Sequence, residues 1–431
     1  MTPVPPPGPP ELWGGVECSV VRVGAGWRDQ VVETGHHGRP ADLDRLAAAG
    51  LRTVRYPVLW ERVAIHGWDW HDARLARLQR LGITPIAGLV HHGSGPAGTD
   101  LLDDSFAAGL AAHAAAAAAR YPWVTHWTPV NEPLTTARFS GLYGHWHPGQ
   151  RDEGAMLRML GVQCDAILRS MRAIRARIPH ARFVHTEDLG RVFATPRMQD
   201  QADHENERRW LSLDLLCGRV GKGHPWRPRL LAAGVPGALL RELCTGEAAP
   251  DLIGINHYAT SDRFLDHRTA LYPQHLHGGN GRMSYADTEA VRVGLPEHCT
   301  GWLPRLWEAW DRYRRPLAVT EAHLGDNPAE QVRWLMEAWD AATVLRVAGV
   351  DVRAVTAWAL FGLVDWHCML RHVHGRLEPG AWDIRQDPPA PTLLAHAVTS
   401  LATHGDFDHP CLDTPGWWRR PDRFHPAALS A

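Results

Sequence analysis

The sequence predicts an α/β protein built as a single-domain (β/α)8 TIM barrel, and two observations carry this prediction. Eight short apolar or β-branched runs recur along the chain, and helical patterns precede seven of them. Because parallel strands need long crossover connections, this alternation favours a parallel sheet. Eight such units favour a closed barrel over an open sheet, and a barrel enzyme with insertions fills a length of 431 residues.

The elements follow one another with clear stops between them. Helices end at Gly50, Gly82 and Gly349, since glycine is a common helix terminator, and Pro179 ends another long helix. The predicted strands are Leu12–Cys18, Arg52–Leu59, Ile83–Val90, Val124–Val130, Ala181–Thr186, Leu252–Ile255, Pro316–Thr320 and Val352–Leu360. The predicted helices include Phe106–Ala119, Ala155–Arg177, Val235–Cys244, Leu303–Arg314, Ala329–Val347 and Thr392–Ala402.

Three segments are assigned along the chain. Residues 1–10 are rich in proline and predict a flexible N-terminus, residues 11–404 form the barrel, and residues 405–431 form an extension packed on or near it. Within the barrel, residues 260–296 are rich in His, Gly and Asn and are interpreted as a long loop after a strand.

Composition excludes several classes of protein. The chain has 45 Lys and Arg against 47 Asp and Glu, so a chain-wide basic field for nucleic acid is not expected. Neither a secretion signal nor an apolar run of membrane-spanning length is visible. The seven cysteines are odd in number and form no CxxC pair, which favours free thiols in a reducing compartment and predicts a cytoplasmic protein.

Cofactors and metals are not expected either. No GxGxxG motif follows the first strand, and neither a phosphate-binding loop nor a lysine-rich site is present, since Lys222 is the one lysine. The pairs His36-His37, His91-His92 and His372-x-His374 lack zinc-like helical spacing with a third ligand in view. The 20 Trp either fill the core or stack on rings.

Polar and aromatic residues collect where the predicted strands end, which is the functional face of such a barrel. Carboxylates on opposite sides of the barrel mouth suggest glycoside hydrolysis, because an acid must protonate the leaving oxygen while a carboxylate meets the anomeric carbon. Trp faces suit the C–H surface of a sugar, and amides and His suit its hydroxyls. The residues at strand ends are Arg55, His91-His92, Asn131-Glu132, Glu187-Asp188, Asn256-His257-Tyr258, Glu321-Ala322-His323 and the run Trp358 to Trp366.

Seven motifs, in chain order, resemble those of glycoside hydrolase family 1, the β-glucosidase family. Trp127–Pro133 is similar to its NEP segment and Val319–Glu321 to its TENG segment. The other matching segments are Arg55–Trp60, Leu89–His92, Gly141–Gly149, Asp251–Tyr258 and Trp358–Trp366. The chain is also similar to a divergent branch, the glycosidase-like module sometimes joined to a dTDP-4-dehydrorhamnose-reductase-like domain.

The resemblance implies a catalytic pair and its support. Glu132 is the expected general acid/base, and Glu321 is the expected nucleophile of a retaining double displacement. Arg55, Tyr258 and Asn256 are expected to hold the nucleophile.

The resemblance also implies a sugar-binding shell. Asn131 is expected to bind the 2-hydroxyl of the glycone and His91 the region of the 3-hydroxyl. Trp358 is the expected platform beneath the glycone, and Asp365 with Trp366 is expected to meet the 4- and 6-hydroxyls.

The chain departs from the family pattern at several positions in this shell. Glu17 lies near the place of the family's first-strand Gln, and His92 stands where the family has Trp. Asp365 replaces a Glu, and His323 stands within the altered TENG segment. We expect Glu17 and His92 to contact substrate, so the chemistry is expected to survive with a changed glycone preference.

The sequence therefore predicts a retaining β-glycosidase that acts on a small carbohydrate without a cofactor. One alternative is a catalytically altered carbohydrate-binding barrel acting in sugar-nucleotide or polysaccharide metabolism. Another is a barrel that transfers the glycosyl group to an acceptor other than water. A nucleotide-dependent oxidoreductase is disfavoured because no phosphate-binding loop is seen. The sequence leaves the glycone, the aglycone and the oligomeric state open.

Overall fold

Eight parallel strands close into a barrel at the centre of the computed structural model, which describes residues 8–424. The last strand pairs with the first at Trp13↔Thr356, and the first pairs with the second at Gly14↔Val54, so the sheet has no edge. The barrel strands, numbered in chain order, are β1 (Glu11–Gly15), β2 (Thr53–Pro57), β3 (Thr84–Gly88), β4 (His126–Thr128), β5 (Arg182–Asp188), β6 (Leu252–Asn256), β7 (Leu317–Ala322) and β8 (Val352–Ala357). The predicted single-domain (β/α)8 barrel is confirmed.

Helices surround the barrel and provide the crossovers that parallel strands require. Asp103, Asp152 and Asn327 cap three of the long helices, each accepting a hydrogen bond from a backbone N–H of the first turn. The α-helices are Gln30–Glu33, Asp42–Ala48, Trp60–His66, Asp69–Arg80, Asp104–Arg120, Pro133–Ala137, Glu153–Arg175, Gln199–Arg208, Leu211–Leu216, Arg227–Ala232, Gly237–Leu243, Trp302–Tyr313, Pro328–Val347 and Leu393–His404. Within residues 8–424, no helix is long and apolar enough to cross a membrane.

Apolar side chains fill two regions on either side of the strands. The interior of the barrel holds a small cluster around Trp13, completed by Ile86, Val184, Leu252, Ala318 and Ala354. A much larger apolar core lies between the outer face of the strands and the surrounding helices. Side chains alternate between the two faces of a strand, so the strands supply both regions. The interior cluster fills the barrel below the ends of the strands. The cavity therefore forms at the end where the strands terminate.

Residues 260–296 connect β6 to the helix Trp302–Tyr313, as the interpretation of a long loop after a strand expected, and this loop carries secondary structure of its own. Three strands occur there, Arg263–Asp266, His277–Gly279 and Ser284–Glu289, and they join Val192–Ala194 in a four-stranded sheet. A buried face stabilises this sheet, since Leu265 and Tyr285 pack there with Met198. The apolar residues are too sparse in the sequence to give a strand pattern. The sheet forms when Arg263–Asp266 pairs with Val192–Ala194, a segment far away along the chain.

The C-terminal segment packs on the barrel helices as far as it is described. Trp418 is buried, contacts Trp334 edge-on at 5.0 Å between ring centroids, and donates its indole N–H to Glu337 at 2.6 Å. Arg419 forms an ion pair with the same Glu337 at 2.6 Å. Residues 1–7 and 425–431, which belong to the predicted terminal segments, lie outside the described residues, so the three proposed boundaries stay predictions.

Gly254 in β6 allows Thr320 of β7 to approach closely, and its replacement should destabilise the barrel. A Cβ at Gly254 would lie 2.5 Å from the Thr320 side chain and 2.7 Å from the backbone oxygen of His185. We expect Gly254→Ala to lower the free energy of unfolding in urea by about 1–3 kcal/mol, the usual effect of overpacking. Gly294→Ala is the control, because a Cβ there meets nothing within 4 Å. Equal stability of the two variants would contradict this packing argument.

Candidate active site

A cavity of about 1410 Å³ opens at the ends of the barrel strands and is lined by two buried carboxyl groups from different parts of the barrel. Glu132 follows β4 and is 4% exposed, and Glu321 lies in β7 and is 2% exposed. Both side chains line the cavity, as the sequence predicted for the ends of barrel strands. The arrangement places two ionisable oxygen groups against one space large enough for a small ligand.

The Glu321 carboxylate is held on both oxygens by donors. Arg55 Nη1 donates to its Oε1 at 2.8 Å, and the Tyr258 hydroxyl donates to its Oε2. Arg55 is fixed in turn, since Nη1 also donates to the Thr320 carbonyl at 2.7 Å and Nη2 donates to Asn131 at 2.7 Å. Burial together with Glu321 raises the pKa of Tyr258 well above its usual value, so the phenol remains a donor. The Glu321 carboxyl group therefore has two fixed hydrogen-bond donors.

The Glu132 carboxyl has a different environment. Burial raises its pKa well above the ordinary value, and the charges of Glu321, Asp188 and Glu187 raise it further. Asn256 Nδ2 donates to Glu132 Oε1 at 2.6 Å, which opposes part of this rise. Glu132 thus holds its proton to higher pH than an ordinary glutamate does. The pair combines a carboxyl group bound by an arginine with a carboxyl group of raised pKa.

Asn256 was predicted to support Glu321, and the structure corrects this assignment. Its amide nitrogen contacts Glu132, and its Oδ1 accepts from the Thr320 hydroxyl at 2.7 Å. The residue ends β6, one strand away from Glu321, and the direction of its side chain decides which carboxyl it reaches. Asn256 is therefore placed beside the acid and not beside the carboxylate.

Two neutral histidines lie between the carboxyl groups. His91 Nε2 is 3.9 Å from Glu321 Oε1, and His92 Nε2 is 3.7 Å from Glu132 Oε2. Burial lowers the pKa of His92 to about 3 and that of His91 well below its usual value, so neither ring is charged at neutral pH. The two rings stand nearly perpendicular, 4.8 Å apart between centroids. The two imidazoles therefore form a continuous polar surface that runs from Glu132 to Glu321.

Asn131 contacts both histidine rings on the side away from the cavity. Its Oδ1 accepts from Arg55 and from the Thr186 hydroxyl, both at 2.7 Å, which fixes the orientation of the amide. Its Nδ2 then faces His91 Nε2 at 3.1 Å and His92 Nε2 at 3.4 Å. The predicted contact of Asn131 with a 2-hydroxyl stays a prediction, since the amide is 1% exposed and contacts protein groups on both ends.

Trp358 lies over β1 and joins the cavity wall. A Cβ on Gly15 would lie 2.1 Å from its ring, so glycine is required for this approach. The Arg55 guanidinium lies 4.6 Å from the ring centroid, and His91 stacks on the ring at 5.5 Å with an interplanar angle of 7°. Trp366 lines the cavity nearby and meets His92 edge-on at 5.5 Å.

Asp365 was predicted to bind sugar hydroxyls, and the structure shows another use of its carboxylate. The side chain is fully buried and accepts backbone N–H groups of His374, Gly375 and Arg376 at 2.9 to 3.1 Å, as well as Arg28 at 3.1 Å. It caps the turn that follows β8. The aspartate is therefore committed to loop structure, which a motif match cannot distinguish from ligand binding.

Of the twelve predicted site residues, eight line the cavity: Glu17, His91, His92, Glu132, Tyr258, Glu321, Trp358 and Trp366. Arg55, Asn131 and Asn256 lie behind this wall and hold its members, whereas Asp365 belongs to the loop. Arg138, Tyr143 and Glu378 also line the cavity and were not among the predicted site residues, although Tyr143 lies within the matching segment Gly141–Gly149. The four-stranded sheet adds Tyr285 and Asp287 to the cavity wall, and no motif or periodic pattern in the sequence signals them.

The backbone at the mouth is strained. Among residues 8–424, six residues other than glycine have positive φ, and five lie at the mouth: His92 (57°), Glu132 (48°), Asp365 (59°), Met369 (53°) and Leu370 (59°). Left-handed conformations of such residues cost of order 1–3 kcal/mol each and cluster at functional sites. The strain therefore marks the same end of the barrel as the paired carboxyl groups.

No protein-family model matches the sequence. The fold is similar to the β-glucosidase from Thermotoga maritima in complex with deoxynojirimycin, with a TM-score of 0.72 and 15% sequence identity over 92% of this chain and 98% of that chain. It is also similar to the family 1 β-glucosidase of the same organism, with a TM-score of 0.71 and 14% identity over 94% and 99% of the two chains. The complex with cyclophellitol gives 0.72 and 15% over 95% and 100%. At this identity the likeness shows a shared barrel fold.

Glu17 in the cavity wall should make folding stability depend on pH. Burial raises its pKa from 4.5 to about 7, so the folded state holds this proton more tightly than the unfolded chain does. The contribution of this proton to the free energy of unfolding is fully present below the pKa of the unfolded chain, and it is lost as pH rises through the pKa of the folded state. Replacing Glu17 by Gln removes this loss. We expect the stability of Glu17→Gln relative to wild type to increase by about 3 kcal/mol from pH 4 to pH 8 in urea unfolding. A difference that stays constant with pH would contradict the assignment.

Proposed function

We propose that the protein is a retaining β-glycosidase that hydrolyses a β-linked glycoside through a glycosyl-enzyme intermediate. The observation that carries the proposal is the unlike environment of its two carboxyl groups. Glu321 accepts hydrogen bonds from Arg55 and Tyr258, whereas Glu132 is buried and has a raised pKa. A nucleophilic carboxylate needs fixed cationic or hydrogen-bonding partners, and a general acid needs a carboxyl group that holds its proton.

In the first step, the Glu321 carboxylate attacks the anomeric carbon while Glu132 gives its proton to the departing glycosidic oxygen. The bond from the anomeric carbon to the leaving group breaks, and an ester to Glu321 forms. Arg55 and Tyr258 keep the attacking oxygens directed before the reaction, and the neutral histidines provide hydrogen-bonding groups beside the sugar.

In the second step, Glu132 acts as the base. The negative charge of Glu321 disappears when the ester forms, so one cause of the raised pKa of Glu132 is removed. Ionised Glu132 then takes a proton from water, and the resulting hydroxide oxygen attacks the anomeric carbon. The ester bond to Glu321 breaks, Glu321 leaves as a carboxylate, and the sugar is released with net retention.

The remaining wall residues are proposed to bind substrate. Trp358 and Trp366 offer ring faces or edges to a sugar, and Glu17, His91 and His92 offer polar atoms to its hydroxyls. The cavity continues past the carboxyl groups to Tyr143, Tyr285 and Asp287, among other residues. Its volume exceeds the range of 300–1000 Å³ common for small-ligand pockets, which supports an aglycone site as well as a glycone site.

The compartment and the branch of the family are parts of the same proposal. All seven cysteines lie within residues 8–424 and are free thiols, the state that a reducing cytoplasm maintains. The similarity to the glycosidase-like module joined to a dTDP-4-dehydrorhamnose-reductase-like domain rests on motifs alone. We propose the barrel segment 11–404, with residues 405–431 as its packed extension, as one working unit.

The two carboxyl roles can be separated by the anomer that azide produces. In Glu321→Gly, azide should replace the missing nucleophile and convert an activated aryl β-glycoside into the α-glycosyl azide. In Glu132→Ala, the ester on Glu321 still forms with an activated leaving group, and azide should release the β-glycosyl azide. Proton NMR of the products measures the anomers.

A panel of nitrophenyl gluco-, galacto-, fuco-, manno- and xylosides supplies the substrate for this comparison. Wild type should release the retained anomer first. Inverted product from wild type, or the same azide anomer from both variants, would refute the proposed roles.

The pH dependence of kcat/KM tests the acid. Activity should fall as pH rises through the pKa of Glu132, because the ionised group cannot protonate the leaving oxygen. Asn256→Ala removes a donor that favours ionised Glu132, so the basic limb should move to higher pH. Asn327→Ala, at a remote helix cap, is the control and should leave the limb in place. An unmoved limb in Asn256→Ala counts against Glu132 as the acid.

A further inference from the structure

The turn after β8 brings three metal-binding side chains together at the rim of the cavity, and we infer that it holds a zinc ion. The potential ligand atoms of His367, Cys368 and His374 all lie within 4.8 Å of one another. The closest pair is His367 Nε2 and His374 Nδ1, 2.9 Å apart, with the rings stacked at 5.2 Å between centroids. No other group of this kind occurs among residues 8–424.

The ligand set favours Zn²⁺ over the hard cations. A thiolate and two imidazoles are borderline-soft donors, whereas Mg²⁺ and Ca²⁺ prefer oxygen ligands. Zinc takes Cys sulfur at about 2.3 Å and His nitrogen at about 2.0–2.1 Å in a tetrahedral arrangement. In such a site neighbouring ligand atoms are roughly 3.5 Å apart, so the three side chains need only small rotations. Three protein ligands leave one position for water.

Asp365 prepares the turn for this arrangement. Its carboxylate accepts the backbone N–H of His374 at 2.9 Å, and its backbone carbonyl accepts the Cys368 S–H at 3.2 Å, a proton that a bound metal would replace. One buried residue thus fixes the chain at both ends of the group. Met369 and Leu370, which connect the ligands, have left-handed backbones. A conformation of this cost is retained where the surrounding structure demands it.

The spacing of the ligands explains why the sequence did not reveal them. His367 and Cys368 are adjacent, and His374 follows after five further residues, which is not a familiar zinc spacing. The pair His372-x-His374 was noticed in the sequence, but only His374 belongs to the group. His372 instead turns its backbone carbonyl to Cys368 Sγ at 3.5 Å.

The proposed ion would close the turn beside the cavity. His367 belongs to the cavity wall and lies in the short helix Trp366–Cys368, so a metal shared with Cys368 and His374 would tie this helix to the chain that returns at His374. The role assigned to zinc is to fix this part of the wall. The proposal concerns groups that take no part in the glycosidase mechanism, so either can fail without the other.

Cobalt spectroscopy on the full-length chain tests the site. Co²⁺ added to metal-free wild type should bind with one equivalent, giving a thiolate-to-cobalt charge-transfer band and visible bands of a tetrahedral site. Zn²⁺ should then displace it, and Mg²⁺ should not. Zinc should also raise the melting temperature of wild type. Absence of the charge-transfer band would overturn the proposal.

Matched variants separate this site from other sites in a chain with 27 histidines. Cys368→Ser should abolish the charge-transfer band, and His374→Ala should weaken Co²⁺ binding by more than about tenfold. Cys244→Ser, at an exposed cysteine elsewhere, and His372→Ala should keep the band. Melting curves without metal identify variants that fail to fold, and for these the conservative replacement His374→Gln is used instead. A band that persists in Cys368→Ser, or disappears in His372→Ala, would overturn the ligand assignment.

Discussion

The ion pair between Arg55 and Glu321 is the interaction on which the rest of the site depends. Both groups are buried, where an unpaired charge is strongly destabilising, so neither can be kept without the other. The guanidinium extends the pairing, because it also fixes the Asn131 amide and lies against the Trp358 ring. Through Asn131 it sets the positions of two histidines. One cation from β2 therefore orders groups from four other parts of the barrel.

A second constraint is the difference between the environments of the Glu132 and Glu321 carboxyl groups. Glu321 has a cation and a phenol, whereas Glu132 has one amide donor and several acidic neighbours. Because the barrel ends converge on one space, the charge of one carboxyl acts directly on the proton affinity of the other. The proposed chemistry uses this coupling in both steps. The charge of Glu321 first helps to keep Glu132 protonated, and its loss on ester formation then lets Glu132 ionise and act as a base.

Much of the barrel was predictable from sequence because each strand is a short apolar run between a helix stop and a polar end. The strand ends also predicted which carboxyl groups, histidines and tryptophans meet in the cavity. Side-chain direction was not predictable in this way. Asn256 and Asp365 occupy the expected positions but turn toward Glu132 and toward backbone N–H groups. The four-stranded sheet was missed because its strands pair across long separations, which local periodicity does not report.

The left-handed backbones at His92 and Glu132 limit the stability that the barrel can reach with these side chains in place. Glycine adopts such a conformation without strain, and asparagine tolerates it better than most residues. A barrel that no longer used these side chains would gain stability from simple substitutions at both positions, with no change of fold. The imidazole of His92 and the carboxyl group of Glu132 are therefore held in the cavity wall at a cost in folding free energy of about 1–3 kcal/mol each.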